Sequence, residues 1–188
     1  LIPWQMVAKQ TGATLRFIPV TENGTLNLDS LDTVINDQTK LISMVSTSNF
    51  LGTINSLDLI HKRAKDVGAL LMIDGAQSIP HMATDVIDMD CDFLAFSGHK
   101  MLGPTGIGVL YGKFDILDKM TPFLFGGDMI SEVSYEDAKW NELPYKFEAG
   151  TPNISGAIAL GTAIDYITSL GIENIAKYEA ELLEYATK

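Results

Sequence analysis

Three short apolar runs, with one amphipathic segment between the first two, constrain this chain more than anything else in it. "KLISMVSTSN", "ALLMIDGAQ" and "DFLAFSGHK" are continuous and apolar, and each ends in polar residues. Between the first two lies "LDLIHKRAKDVG", with Leu57, Ile60, Ala64 and Val67 on one side and Lys62, Lys65 and Asp66 on the other. Strand, helix, strand in this order predicts βαβ crossovers: an α/β fold with a mostly parallel sheet and helices on both faces. "GIGVLYGK" follows the third run almost at once. The link from Lys100 to Gly106 is too short for a crossover helix, so this last strand is expected to run antiparallel. Upstream, "ATLRFIPV" predicts a further strand, and Asp29 is expected to cap a short helix through "SLDTVINDQ".

The chain has 188 residues and 46% hydrophobic content, enough for one sizeable core. A net charge of -11 argues against nucleic acid and anionic membrane as partners, since both are polyanions. No apolar run reaches the roughly 20 residues of a membrane span. The single cysteine, Cys91, has no internal disulfide partner, which suits a reducing cytoplasm. "LIPWQMVAKQTG" opens with a helical pattern already in progress and a stop at Gly12, while "NIAKYEAELLEYATK" ends inside one. Both ends read as cut, so the chain is expected to be an internal piece of a longer protein. From Thr121 to Asn153 the pattern is irregular, as in segments that are functional or held by a partner. Two helices follow, broken at Gly171.

In open parallel sheets, ligands bind outside the carboxyl ends of the strands. Ser48 and Asn49 end the first run, Asp74 and Gln77 the second, and Ser97, His99 and Lys100 the third. Asp74 follows an apolar run and is expected to be partly desolvated; taken alone it reads first as an acid that caps the next turn or pairs with a structural lysine. Lys100 poses the mirror problem. At the mouth of an apolar sheet a lysine loses solvation and becomes a nucleophilic amine, or else snorkels to solvent. Ser97, Gly98 and His99 offer a hydroxyl, a permissive backbone and an imidazole, a set suited to an anion such as phosphate. "GPTGIG" lacks the Gly-Lys-Ser/Thr ending of a P-loop and leads into a strand, so it is not read as a nucleotide loop. An acid, an amine and an anion cradle on neighbouring strand ends are what pyridoxal 5'-phosphate (PLP) requires: a partner for the pyridine nitrogen, a Schiff-base lysine and a phosphate site.

"DGAQSIPHMATDV", "DCDFLAFSGHKMLGPTGIGVLYG" and "KFEAGTPN" resemble the SUF-type cysteine desulfurases and the related selenocysteine lyases, class V PLP enzymes of the aspartate-aminotransferase fold (fold type I). The resemblance runs along nearly the whole chain. It implies that Lys100 carries the cofactor and moves protons, that Asp74 pairs with the ring nitrogen, and that Gln77 bonds the phenolic oxygen. It further implies that Ser97 and His99 hold the phosphate, that Asn49 lies beside cofactor and substrate carboxylate, and that Thr151 reaches the phosphate of the other subunit of a homodimer. "GGDMI" from Gly126 borders the active site in such enzymes. Residues 1–170 would be part of the PLP-binding large domain, and 171–188 a helix leading toward a small domain. The implied reaction takes sulfur from L-cysteine to a protein thiol for a sulfur-acceptor protein of the SUF system and iron–sulfur cluster assembly. A selenocysteine lyase, a kynureninase-like hydrolase, or a non-catalytic structural piece are the alternatives.

The family's ring-stacking histidine, persulfide cysteine and carboxylate-binding arginine have no counterpart in these 188 residues. Cys91, at the start of its strand and away from the Lys100 end, reads as a small core residue. His61 is expected to be solvated on a helix's polar side, His81 to be structural, and Glu179, Glu181 and Glu184 to form an exposed face. Three scattered histidines without a second cysteine do not make a metal set.

Overall fold

Proline in the first turn and glycine after the last one bracket the opening helix of the computed structural model, which describes residues 1–188. Helix α1 (Ile2–Thr11) stops at Gly12, whose φ of 74° is the left-handed C-cap the sequence predicts. Residues 13–20 then depart from expectation. They form no ladder, only an isolated bridge between Val20 and Leu26. A strand exists through backbone bonds to a neighbour, and no strand lies beside this segment. Arg16 donates to the Thr33 carbonyl and Ile18 packs on the core, which holds the segment extended without making it a strand. Asp29 caps nothing. It lies inside a 3-10 turn, Leu28–Ser30, that runs straight into helix α2 (Leu31–Val34) and drives Leu31 and Ile35 into the core.

The sheet follows the prediction. Strand β1 (Leu41–Val45), helix α3 (Asp58–Val67), strand β2 (Leu70–Asp74), helix α4 (Val86–Met89) and strand β3 (Phe93–Ser97) alternate, and β4 (Gly108–Gly112) closes the set. The order is β1-β2-β3-β4, with the first three parallel and β4 antiparallel to β3 in the register Ser97↔Gly108. Ile60 and Ala64 of α3 press on Ile42, Met44, Leu71, Ile73 and Leu94, forming one core with Leu31, Ile35 and Cys91. On the opposite face Leu41, Ser43 and Val45 of β1 are exposed, so only one side of that strand is packed. Cys91 is fully buried just ahead of β3, and burial pushes its thiol up.

Helix α5 (Phe114–Lys119) leads into the segment predicted to be irregular, which carries a hairpin of β5 (Ile130–Val133) and β6 (Ala138–Trp140) and a 3-10 turn, Tyr145–Phe147. It is anchored by a residue that no pattern flagged. Lys146 is 6% exposed and its Nζ donates at 2.7 Å to the carbonyl of Asp118, in the last turn of α5. Helix α6 (Ile154–Leu170) and helix α7 (Ile172–Ala186) complete the chain, bent by 71° at Gly171. No single helix is long and apolar enough to cross a membrane.

Asp90 ties α3 to the entry of β3, and here the reading of His61 as a solvated residue fails. Its Nε2 lies 3.6 Å from Asp90 Oδ2, and its side chain is 23% exposed. Asp90 also binds Lys65, and Lys113 Nζ at 2.6 Å. Hydrogen bonds from Lys113 and then Lys65 hold its carboxyl well below the usual carboxylate range. A depressed folded pKa contributes stability above the unfolded pKa and loses it as pH falls. Asp90→Asn is therefore expected to lower the melting temperature at neutral pH. The gap from the parent chain should close as pH drops below about 4, the unfolded aspartate value. Melting curves against pH check this.

Candidate active site

The carboxyl ends of β1, β2 and β3 lie side by side, because Val45 pairs with Asp74 and Asp74 with Ala95. Five of the predicted site residues sit on, or within three residues of, the ends of β2 and β3. Asp74 is the last residue of β2 and is exposed, as is Lys100; neither has the partial desolvation expected of it. The physical reason is that both lie where the strands give way to turns: Gly75 N still donates to Ala95 O and Gly75 is buried, while the Asp74 side chain beside it is left at the surface. Asp74 Oδ1 accepts from the Ala76 amide at 2.9 Å, so the turn-capping reading is correct as far as it goes, and Oδ2 makes no bond within the chain. Gln77, in the same turn, is half-buried.

Ser97 ends β3, and a 3-10 turn of Gly98, His99 and Lys100 follows. Gly98 is buried here for a steric reason. A Cβ at this position would lie 2.8 Å from Ile107 Cγ2, 3.1 Å from the Ile107 carbonyl and 3.3 Å from Leu160 Cδ1 of α6. Its amide donates to Ile107, and its carbonyl accepts from Met101 and Gly103. Gly98→Ala should thus cost about 1–3 kcal/mol, at about 2–4 °C of melting temperature per kcal/mol. It should also displace the turn that carries Lys100. Calorimetry measures the first effect, and the yield of cofactor attached to Lys100 measures the second.

Asn49 stands in a tight corner on the end of β1, closed by the Thr47↔Ile54 bridge and by Ser48 N donating to Thr53 O. The backbone of Ser46 donates to Asp74 O at 2.9 Å, which sets this corner next to the end of β2. Thr151 lies on the exposed loop before α6. Sequence reasoning missed what places that loop: Asn153 caps α6 by accepting from Gly156 N and donates from Nδ2 to Gly106 O at 3.1 Å. The Thr151 loop is thereby fastened, within one chain, to the loop that follows Lys100. Asparagine just ahead of a long helix was the available signal for the cap; nothing in the sequence signals the bond to Gly106.

The site thus gathers a carboxylate, a carboxamide, a hydroxyl, an imidazole and an amine on adjoining strand ends. Gln77, Ser97, His99, Lys100 and Asn49 make no side-chain hydrogen bond or ion pair to the rest of the chain through their polar termini, apart from turn bonds of the backbone. The sequence profile described as "Aminotransferase class-V" matches residues 1–188. The chain belongs to that family. It is 53% identical over 186 residues to a probable cysteine desulfurase of Halalkalibacterium halodurans, covering 99% of this chain and 46% of the relative. Among solved structures, the apo cysteine desulfurase of Thermococcus onnurineus matches with a TM-score of 0.94 and 43% identity, over 100% of this chain and 47% of the other. A cysteine desulfurase from Escherichia coli matches with a TM-score of 0.90 and 41% identity, over 93% and 44%. The chain spans just under half the length of these relatives. The fold they share with it is the α/β fold type I that the sequence resemblance implied.

Family members are generally PLP-dependent, and the donor set here fits that cofactor. An unpaired amine, a carboxylate with one free oxygen, and a hydroxyl beside an imidazole supply the three kinds of contact it needs. The glycine at position 98 keeps the backbone between hydroxyl and amine clear of a side chain.

Proposed function

We propose that these residues are the cofactor-holding part of a PLP-dependent cysteine desulfurase that takes sulfur from L-cysteine. The observation that carries this is the set of side chains left without partners at three adjoining strand ends, in a chain otherwise similar to cysteine desulfurases over its whole length. Bound PLP supplies an electron sink for charge that develops at the substrate Cα. Lys100 Nζ holds the cofactor and carries protons to and from the substrate carbons. Asp74 Oδ2 keeps a proton on the ring nitrogen. Gln77 Nε2 donates to the phenolic oxygen, Ser97 Oγ and His99 hold the phosphate, and Asn49 orients the substrate carboxylate. Thr151 completes the phosphate site across a homodimer.

In the overall reaction the C–S bond of cysteine breaks and an S–S bond forms on a protein thiol, leaving alanine. Cys91 is not that thiol, being fully buried at the amino end of β3 while Lys100 follows its carboxyl end. These 188 residues alone are therefore inactive, and 171–188 leads toward the part that completes the enzyme. A sulfur-acceptor protein of the SUF system, in the cytoplasm, is the partner this reading assigns. The experiment is to add PLP, reduce with borohydride and map the modified peptide by mass. One label per chain on Lys100 supports the reading; label scattered over surface lysines rejects it.

A further inference from the structure

The turn that carries Gln77 is tied to the last helix by one side-chain pair. His81 Nδ1 lies 2.9 Å from one carboxylate oxygen of Glu179 and 3.0 Å from the other, across 98 positions of sequence. The backbone bonds of this turn stay local or return to the sheet: Gly75 N donates to Ala95 O, Ser78 N and Ile79 N to Gly75 O, and His81 N and Met82 N to Ser78 O. The imidazole is its polar side-chain tether to a distant element. Glu179, expected to lie on an exposed face, is engaged instead.

Helix α7 needs such a tether. None of its residues is buried, and it leaves α6 at Gly171 with φ 81° and ψ 116°, a backbone conformation that favours glycine. Ile172 and Ile175 in its first turn pack against the cluster of Met101, Leu160 and Ile167. Glu179 is one turn beyond Ile175, about 6 Å further along the axis at 1.5 Å per residue. No other α7 side chain forms a hydrogen bond or ion pair beyond the α6–α7 segment. The two attachments of α7 therefore land on different parts of the chain that carry the candidate site: one on the cluster that includes Met101, the residue after Lys100, and the other on His81, four residues after Gln77.

We propose that the His81–Glu179 pair is a positioning device, by which α7 fixes the spacing between the Asp74–Gln77 turn and the Lys100 turn. The proposal rests on the reading of these two turns as the PLP site. His81 and Glu179 act through the turn and not on the cofactor itself. Both side chains are 44% exposed, so the effect is local and global stability changes little. Coupling of this kind is reciprocal: whatever orders the turn also steadies α7.

The test uses the full-length protein with Glu179→Ala, His81→Ala, the double alanine variant, and Glu179→Gln, which keeps an acceptor for the imidazole N–H. Hydrogen exchange is followed for amides 75–82 and 172–186 without PLP, and PLP affinity by equilibrium titration. Each alanine variant should exchange faster in both segments and bind PLP about three- to fivefold more weakly, the range of a half-exposed ion pair. The double variant should be no worse than either single one, and Glu179→Gln should restore most of the loss. Unchanged exchange at 75–82, additive losses, or faster exchange with unaltered PLP affinity would each overturn the proposal. If the parent protein takes up no PLP, the cofactor reading falls by itself, and the exchange data still decide whether the tether exists.

Discussion

Lys100→Ala is expected to abolish borohydride-stable attachment of PLP while leaving the melting temperature nearly unchanged. The first half follows from chemistry. A covalent bond that survives reduction needs an amine, and Lys100 is the lysine that directly follows one of the carboxyl ends of β1, β2 and β3. Lys146, the one buried lysine, is spent on the Asp118 carbonyl. The second half follows from the fold. Lys100 is exposed, its Nζ makes no bond within the chain, and the turn is held by Gly98 through Ile107, Met101 and Gly103. Truncating an exposed side chain outside a packed or bonded feature changes stability by about 0.5 kcal/mol or less. Label that persists stoichiometrically in Lys100→Ala would overturn the assignment of the cofactor lysine. A collapse in melting temperature would show that the turn depends on the lysine after all.

Asp74→Asn should separate binding from chemistry in the full-length protein. Asparagine keeps an oxygen for the Ala76 amide, so the turn and the position of Gln77 survive, and PLP remains bound. It carries no charge to keep a proton on a ring nitrogen. Removing one preorganised electrostatic group from an active site costs on the order of 100- to 1000-fold in turnover. The expected result is therefore a fall of that size in alanine production from L-cysteine, with PLP content unchanged. Equal turnover in Asp74→Asn and parent would remove the electron-sink argument. Loss of PLP would show instead that the carboxylate mainly holds the cofactor.

How far the molecule was legible depends on which residues decide each feature. The parallel order of β1, β2 and β3 could be read because each strand is a continuous apolar run and α3 carries its own apolar stripe. The direction of β4 followed from the length of a link. Residues 13–20 have a strand's composition but are not a strand, since that state belongs to a pair of segments and the alternation within one of them cannot supply the other. Asp29 failed as a cap because two leucines on either side of it are drawn to the core by contacts distant in sequence. His61 was judged by its helix face, and it was Asp90, from another element, that took up its environment.

The site divides along the same line. Asp74, Gln77, Ser97, His99 and Lys100 were visible because they follow apolar runs directly, and a parallel sheet puts the carboxyl ends of its strands on one edge. Sequence alone therefore determined the fold class, the edge on which the chemistry-bearing side chains gather, and the family that the motifs resemble. Tertiary structure alone decided what holds those side chains in place: Leu160 and Ile107 closing on Gly98, Asn153 bonded to Gly106, Lys146 to Asp118, and His81 to Glu179. Apart from the Gly98–Ile107 contact, these links join residues at least 28 positions apart in the chain, and local periodicity carries no information about which distant partner a side chain will meet.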